Sequence, residues 1–236
     1  MKKMKALIVL LCILLLSTDV YAEMFHVSIA MYDNHPVYSR AQKIMDEIAL
    51  ASGHDITIIL RYLPNKRAVA SIESNLTDGD VGRSIGAYKN SDNVLIVNEY
   101  IIKSNYYVFS KKDIRIENWR SLNSYQVIAS RGDKVVESKL EDIVKNIHFV
   151  NNYESAVNML ISDRGDAFVG SMLIVWPIYQ RLKCEEKGIK ILKPEIASVP
   201  MYLFLHKKHQ NLVVGFTTAI KSMKQKGRIR AILSGE

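Results

Sequence analysis

The sequence predicts an α/β protein with two lobes, because strand-like and helix-like segments alternate along the chain and the series starts twice. In the first series, residues 25–31 and 56–62 place apolar side chains at every second position, as strands do. Residues 41–49 repeat apolar side chains at helical spacing. A short helix over 65–74 and an extended segment over 94–109 complete this series.

A second series of the same kind begins at residue 125. Strands are predicted at 125–130, 148–150, 166–169 and 189–192, extended chain at 201–206, and helices from 134, at 153–161, at 174–187 and at 211–226. No Gly/Ser-rich linker separates the two series. We therefore expect extended segments near 107–111 and 198–206 to join the lobes as a two-strand hinge, with a cleft between the lobes.

Composition excludes several classes of protein. The chain has 236 residues, of which 24% are charged and 48% hydrophobic, which fits two lobes of about 100 residues and excludes disorder. Two cysteines are too few for a disulfide-rich scaffold or a four-cysteine zinc site. The net charge is +8, but the basic residues are scattered, so no nucleic-acid partner is predicted.

No catalytic, nucleotide or zinc-protease motif is present in the sequence. G-x-S-x-G, Walker A, G-x-G-x-x-G and HExxH are all missing, so we predict no catalytic residue, no cofactor and no metal. Several carboxylates fall near predicted strand ends, and they suit either acid–base chemistry or ordinary turns. These carboxylates are Asp33, Asp78, Asp80 and Asp166.

The first 22 residues have the three parts of a secretory signal peptide. Lys2, Lys3 and Lys5 precede an apolar run over 6–16, and small residues bracket Tyr21 before the expected cleavage after Ala22. The alternative is a membrane anchor, but a spanning helix needs about 20 apolar residues. We therefore expect an exported protein in which Cys184 has no intramolecular partner.

Two arginines lie where a cleft would form. Arg83 ends a short predicted strand, and Arg131-Gly132 stands between a strand and a helix. Guanidinium groups and helix N-terminal amides commonly hold carboxylates. Two alternatives remain open for Arg83: a solvated surface charge, and a side chain that pairs with Asp80 or another acid to brace its own loop.

Four segments resemble the bacterial extracellular solute-binding proteins of family 3, the periplasmic amino-acid-binding type. They are LPNKRAVASIESNLTDGDVGR (63–83), IENWRSLNSYQVIASRG (116–132), NNYESAVNMLISDRGDAFVG (151–170) and VPMYLFLHKKHQNLVVGFTTAIKSMKQKG (199–227). Their order and spacing extend the resemblance over residues 24–232. The resemblance implies the two-lobed type II periplasmic-binding-protein-like fold, with two mixed sheets flanked by helices and a two-strand hinge.

The resemblance also implies a domain division and a function. Lobe 1 is expected at 23–108 and 203–236, and lobe 2 at 109–202. The expected function is capture of a small polar or anionic, amino-acid-like solute in the periplasm, by a monomer that serves an inner-membrane ABC permease. A periplasmic sensor or interaction protein is the alternative, and a dehydratase-like enzyme on the same fold is a further one.

Seven residues follow as candidates for contact with the ligand. Two tyrosines in the loop after the first strand would stack on the solute, and the strand end at 83–84 and the helix start at 131–132 would hold its anionic part. The family has an aspartate for the ligand's amino group where this chain has a serine, so ligands without an α-ammonium group should bind at least as well. The candidates are Tyr32, Tyr38, Arg83, Ser84, Arg131, Gly132 and Ser171.

Overall fold

The structure is a computed structural model and describes residues 23–235; the predicted signal peptide over 1–22 lies outside them. The strands are β1 (Glu23–Ile29), β2 (Ile56–Tyr62), β3 (Gly79–Arg83), β4 (Val94–Ile96), β5 (Ile102–Ser110), β6 (Val127–Ser130), β7 (Ile147–Val150), β8 (Ala167–Ser171) and β9 (Lys190–His206). The α-helices are α1 (Pro36–Ser52), α2 (Asn65–Glu73), α3 (Lys134–Leu140), α4 (Tyr153–Ile161), α5 (Met172–Arg181), α6 (Val213–Gln225) and α7 (Arg228–Ser234).

The strands form two sheets that share β9. Sheet A has the order β2-β1-β3-β9, with β4 also paired to β9, and sheet B has the order β9-β5-β8-β6-β7. In both sheets the outer strands are parallel, as in β1–β2 and β6–β7, whereas the pairs that involve β9 are antiparallel. We call sheet A with α1, α2, α6 and α7 lobe 1, and sheet B with α3, α4 and α5 lobe 2.

Local sequence signals account for the ends of α1. Pro36 occupies its first turn, where the missing N–H costs nothing. His35 caps the helix through Nδ1, which accepts the N–H of Val37 at 3.2 Å. Gly53 ends it in the left-handed conformation at φ 76°, which glycine adopts without a steric penalty.

Each lobe has its own apolar core. In lobe 1, α1 and α6 bury Met45, Ile48 and Phe216 against sheet A. In lobe 2, apolar clusters line both faces of sheet B, one around Phe168 and the other around Leu122. No helix among residues 23–235 is long and apolar enough to cross a membrane.

The strand β9 carries the chain from one sheet to the other. Its residues as far as Met201 pair with β5, and those from Tyr202 onward pair with β3 and β4. The other crossing lies at 97–101, between β4 and β5, earlier than the predicted position near 107–111. Strand pairing thus places 102–108 in sheet B, and the lobe boundaries at 108 and 203 stay a prediction.

Most predicted elements are present, and β9 is the main difference. The sequence indicated two separate extended segments at 189–192 and 201–206, whereas the structure has one 17-residue strand. The middle of β9 is only partly buried and contains Pro194 and Pro200, so it lacks the alternation that marks a strand. The helix predicted over 174–187 runs from Met172 to Arg181.

Candidate functional site

A cavity of about 130 Å³ lies between the lobes, close to where β9 changes sheets. It has room for several water molecules, each of which takes up about 30 Å³ in the liquid, and this size suits a small solute. Its polar lining includes Asn65, Arg83, Ser84, Ser104, Tyr106, Asp133, Lys134, Tyr153 and Ser171. Its apolar lining includes Ile29, Met31, Val37, Ala41, Ile44, Met45, Ile101, Leu173, Ile174, Met201 and Leu233.

Arg83 lies at the end of β3 and is buried, with only 7% of its surface exposed. Its Nε donates to Asp80 Oδ2 at 2.6 Å, and its Nη1 donates to Asn65 Oδ1 at the start of α2. Its Nη2 has no hydrogen-bond partner among residues 23–235. Burial would lower the pKa of Arg83, but the neighbouring Asp80 carboxylate holds it above the ordinary value, so the guanidinium stays charged.

A second buried network faces the cavity from lobe 2. Tyr153 donates its hydroxyl to Asp133 Oδ2 at 2.6 Å, and Tyr106 donates to Oδ1 at 3.3 Å. Oδ1 also accepts the N–H groups of Val135 and Val136 and so caps α3. Burial raises the pKa of Asp133 despite these donors. Asp133 therefore acts mainly as a helix cap and as the group that orients the two tyrosines.

A pair of serine hydroxyls completes the polar lining. Ser104 of β5 and Ser171 of β8 lie with their Oγ atoms 2.6 Å apart, and both residues are buried. One hydroxyl donates to the other, and the proton of the second hydroxyl is left for another acceptor. The oxygens of the pair can still accept a hydrogen bond from a solute, because each hydroxyl has two lone pairs.

The two lobes touch each other directly across the cleft. Gly132 of lobe 2 lies so close to the start of α2 that a Cβ at this position would be 2.6 Å from the Cβ of Asn65. Leu173 and Ile174, at the start of α5, pack against the apolar core of lobe 1. The structure therefore describes the lobes in a closed arrangement.

His35 adds a polar contact between the lobes. Because its Nδ1 accepts the N–H of Val37, the proton lies on Nε2, which is 3.1 Å from the carbonyl oxygen of Ile174. Burial lowers the pKa of His35, while the bond to Ile174 acts in the opposite direction. The neutral imidazole is thus the form that fits the closed lobes.

We expect acidification to weaken the protein through His35. A histidine whose folded pKa is lowered stabilises the fold above its unfolded pKa of about 6.5, and this contribution is lost as the pH falls through the folded pKa. His35→Asn keeps an N-cap and removes the titration, so the drop in melting temperature on acidification should be smaller than in wild type. His148→Asn, at an exposed position on β7, is the matched control and should follow wild type. Equal drops in His35→Asn and wild type would contradict this role.

Four of the seven predicted site residues line the cavity: Arg83, Ser84, Gly132 and Ser171. Gly132 donates its N–H to Glu137 Oε1. Its φ of +81° and the close approach of Asn65 both require glycine at this position. Ser84 follows Arg83 and precedes a short 3-10 helix, Ile85–Tyr88. A ligand-binding role for these four residues stays a prediction.

The other three predicted residues lie outside the lining of this cavity. Tyr32 borders a smaller cavity of about 30 Å³ that shares Asn65, Tyr153 and Ile174 with the first, and its ring centroid lies 4.1 Å from that of Tyr62. Tyr38 donates its hydroxyl to the carbonyl of Leu60 at 2.7 Å. Arg131 is exposed and lies over the ring of Phe149. Each of the three side chains has a partner of its own that holds it away from the cavity.

Sequence reasoning missed several polar residues of the cavity. Asn65, Ser104, Tyr106 and Tyr153 were not among the candidates, although each lies in a predicted helix or extended segment. The partners of Asp133 are 20 and 27 residues away in the chain, and no local pattern connects them. Within residues 23–235, no group of three or more histidine, cysteine, aspartate or glutamate side chains is placed to hold a metal ion.

Comparison with known sequences gives a relative that has no described function. No protein-family model matches the chain. The chain is 25% identical over 170 residues to an uncharacterized protein of Shewanella oneidensis. That match covers 70% of this chain and 64% of the relative, so the chain spans about two thirds of the relative's length.

Solved structures give a clear likeness in fold. The chain is similar to an ancestral arginine-binding protein bound to arginine, with TM-score 0.73, 16% identity and coverage of 91% of this chain and 98% of that one. It is similar to a histidine kinase sensor domain that resembles periplasmic binding proteins, with TM-score 0.74, 14% identity and coverage of 91% and 96%. It is also similar to the substrate-binding protein of an amino acid ABC transporter, with TM-score 0.70, 18% identity and coverage of 90% and 98%.

These likenesses establish the fold. The protein has the two-lobed, periplasmic-binding-protein-like architecture, as the resemblance to the family 3 solute-binding proteins implied. At 14–18% identity, the solved structures do not carry their ligands or partners over to this chain.

Proposed function

We propose that this protein is a periplasmic solute-binding protein that closes its two lobes on a small polar or anionic, amino-acid-like solute. The observation that carries the proposal is the cavity between the lobes, whose wall is shared by both lobes and contains the buried, charged Arg83.

The proposed ligand contacts come from both lobes. Arg83 and Asn65 would act from lobe 1, while Gly132, Ser171 and Tyr153 would act from lobe 2. A solute that touches both sets favours the closed arrangement over the open one, because it has partners on both sides only when the lobes meet. Export by a cleaved signal peptide, a monomeric state and delivery to an inner-membrane ABC permease belong to this proposal.

A sensor role is the second candidate. Its support is the similarity in fold to a histidine kinase sensor domain. The same closed lobes would then be presented to a membrane partner that reads occupancy of the cavity. Transport and sensing share the binding step, so both predict the same ligand site. They differ in what contacts the outer surface of the lobes.

A thermal-shift screen of the purified protein tests the binding step. Amino acids, monocarboxylates, dicarboxylates and uncharged amides are added in turn, and a true ligand at 100 times its Kd should stabilise the fold by about 2.7 kcal/mol. Arg131→Ala, which alters an exposed arginine outside the cavity, should show the same ligand shift as wild type. The proposal fails if no compound raises the melting temperature, or if the shift is lost in Arg131→Ala.

A further inference from the structure

The first turn of α5 makes an apolar contact that crosses the cleft. Leu173 and Ile174 follow β8 directly and belong to lobe 2, yet both side chains pack against the apolar core of lobe 1. Ile174 packs against the core of lobe 2 as well. Among the described residues, Leu173 packs against neither apolar cluster of lobe 2, so its apolar neighbours lie on lobe 1. We call Leu173 and Ile174 the interlobe contact.

The rest of α5 fixes this contact firmly to lobe 2. Val175, Ile178 and Tyr179 recur at helical i, i+3, i+4 spacing and are buried in the core of that lobe. Leu173 stands two positions before Val175, which is about 200° around the axis of a helix with 3.6 residues per turn. One face of α5 is therefore anchored in lobe 2, while Leu173 on the opposite face reaches lobe 1.

The contact between the lobes does not depend on paired charges. The Nε2 atom of His35 in lobe 1 lies 3.1 Å from the carbonyl oxygen of Ile174, which adds a hydrogen bond to the apolar packing. None of the ion pairs within residues 23–235 joins a side chain of lobe 1 to one of lobe 2. Apolar burial and one hydrogen bond thus join α5 to lobe 1.

Opening of the lobes would return the side chain of Leu173 to water. Its apolar neighbours would move away with lobe 1, and exposure of apolar surface to water is unfavourable. Both partners in this contact belong to the chain itself. The contact therefore favours the closed arrangement whatever occupies the cavity.

We propose that the interlobe contact keeps the two lobes closed in the solute-free protein. This closure is a property of the chain alone and goes beyond the proposed function. For a solute that binds the closed form, the apparent affinity is reduced only by the fraction of protein that is not closed. Loss of the contact would therefore weaken binding of every such solute, whatever its chemistry.

Small-angle scattering of the solute-free protein tests this closure. The purified protein is dialysed against urea and then against buffer, and native mass spectrometry confirms the mass of the bare chain. The scattering of wild type should fit the closed arrangement. Leu173→Gln should give a larger radius of gyration, because closure would bury an amide in the apolar core of lobe 1. Leu50→Gln, which alters a leucine of α1 that is 83% exposed, is the matched control and should scatter as wild type does.

Wild type alone already decides the matter. Solute-free wild type that scatters as an open particle would overturn the proposed closure, and so would a folded Leu173→Gln no larger than wild type. Circular dichroism melts show whether this variant folds, and Leu173→Ala, with the same expected increase, takes its place if it does not. The thermal-shift screen judges the proposed function separately, because no solute is present in the scattering experiment.

Salt separates apolar contact from attraction between charges. Raising NaCl to about 1 M shortens the Debye length to about 3 Å, which weakens attraction between charges that solvent reaches. The radius of gyration of solute-free wild type should not change. An increase to the value of Leu173→Gln would show that charges hold the lobes together and would overturn the role of the interlobe contact.

Discussion

Asp80→Asn is expected to lower the free energy of unfolding by about 3–5 kcal/mol, because it leaves a buried guanidinium without its counter-charge. Asp80 is fully buried, and its Oδ2 accepts from both Arg83 and Tyr88. The asparagine has nearly the same shape, so the loss reports on charge and not on packing. Urea denaturation followed by circular dichroism measures it.

Asp163→Asn is the matched control for this prediction. Asp163 pairs with Lys111 at 2.9 Å, but its side chain is 75% exposed, and surface pairs of this kind contribute about 0–1 kcal/mol. Asparagine also tolerates the left-handed backbone at this position, φ 56°. If Asp80→Asn loses no more stability than Asp163→Asn, the buried pair does not hold the strand end in place.

The Arg83–Asp80 pair also affects how a substitution of Arg83 is interpreted. From the sequence, Arg83 could be a ligand anchor, a solvated charge or a brace for its own loop. The structure shows the brace, with Nε on Asp80 and Nη1 on Asn65, and Nη2 buried without a partner. Arg83→Ala is therefore expected to lower both the stability of the fold and the affinity for the ligand. This variant by itself does not separate a role in binding from a role in folding.

Gly132→Ala is expected to weaken ligand binding about tenfold or more, because the new Cβ would lie 2.6 Å from Asn65 Cβ and hold the lobes apart. The same variant adds strain at φ +81°, which costs about 1–2 kcal/mol of stability. Calorimetry measures the loss of affinity. Small-angle scattering with saturating ligand should show a larger particle than wild type.

Gly188→Ala separates the two effects of that substitution. Gly188 has φ +78°, but a Cβ there would meet nothing within 4 Å. The two variants should therefore lose similar stability through backbone strain, while only Gly132→Ala loses affinity. Equal affinities in the two variants would mean that the contact between Gly132 and α2 has no part in closure.

The fold could be predicted from the sequence because its signals are local. The periodicity of 41–49 and the glycine at 53 indicate α1, and the alternation over 25–31 indicates β1. The continuous strand β9 was missed because its middle residues are partly exposed and depend on pairing with β5 for their conformation. Tertiary pairing, and not local preference, makes that segment a strand.

The site was less predictable because its contacts join distant parts of the chain. Arg83, Ser84 and Gly132 were predicted from positions at strand ends and helix starts, and Ser171 from the family resemblance; all four line the cavity. The contact between His35 and Ile174 spans 139 residues, and that between Tyr153 and Asp133 spans 20. Tyr38 shows the reverse case, in which an aromatic residue in the expected loop is held away from the cavity by a bond to Leu60. Sequence alone shows the residue type but not the partner that orients it.

A crystal structure of the protein with its best-binding solute shows whether the cavity between the lobes is the binding site. We expect density for the solute in the cavity between the lobes, in contact with side chains of both lobes. Gly132 should still contact the start of α2 in that complex. Solute density at any other place, with the cavity between the lobes holding only water, would show that this cavity is not the binding site.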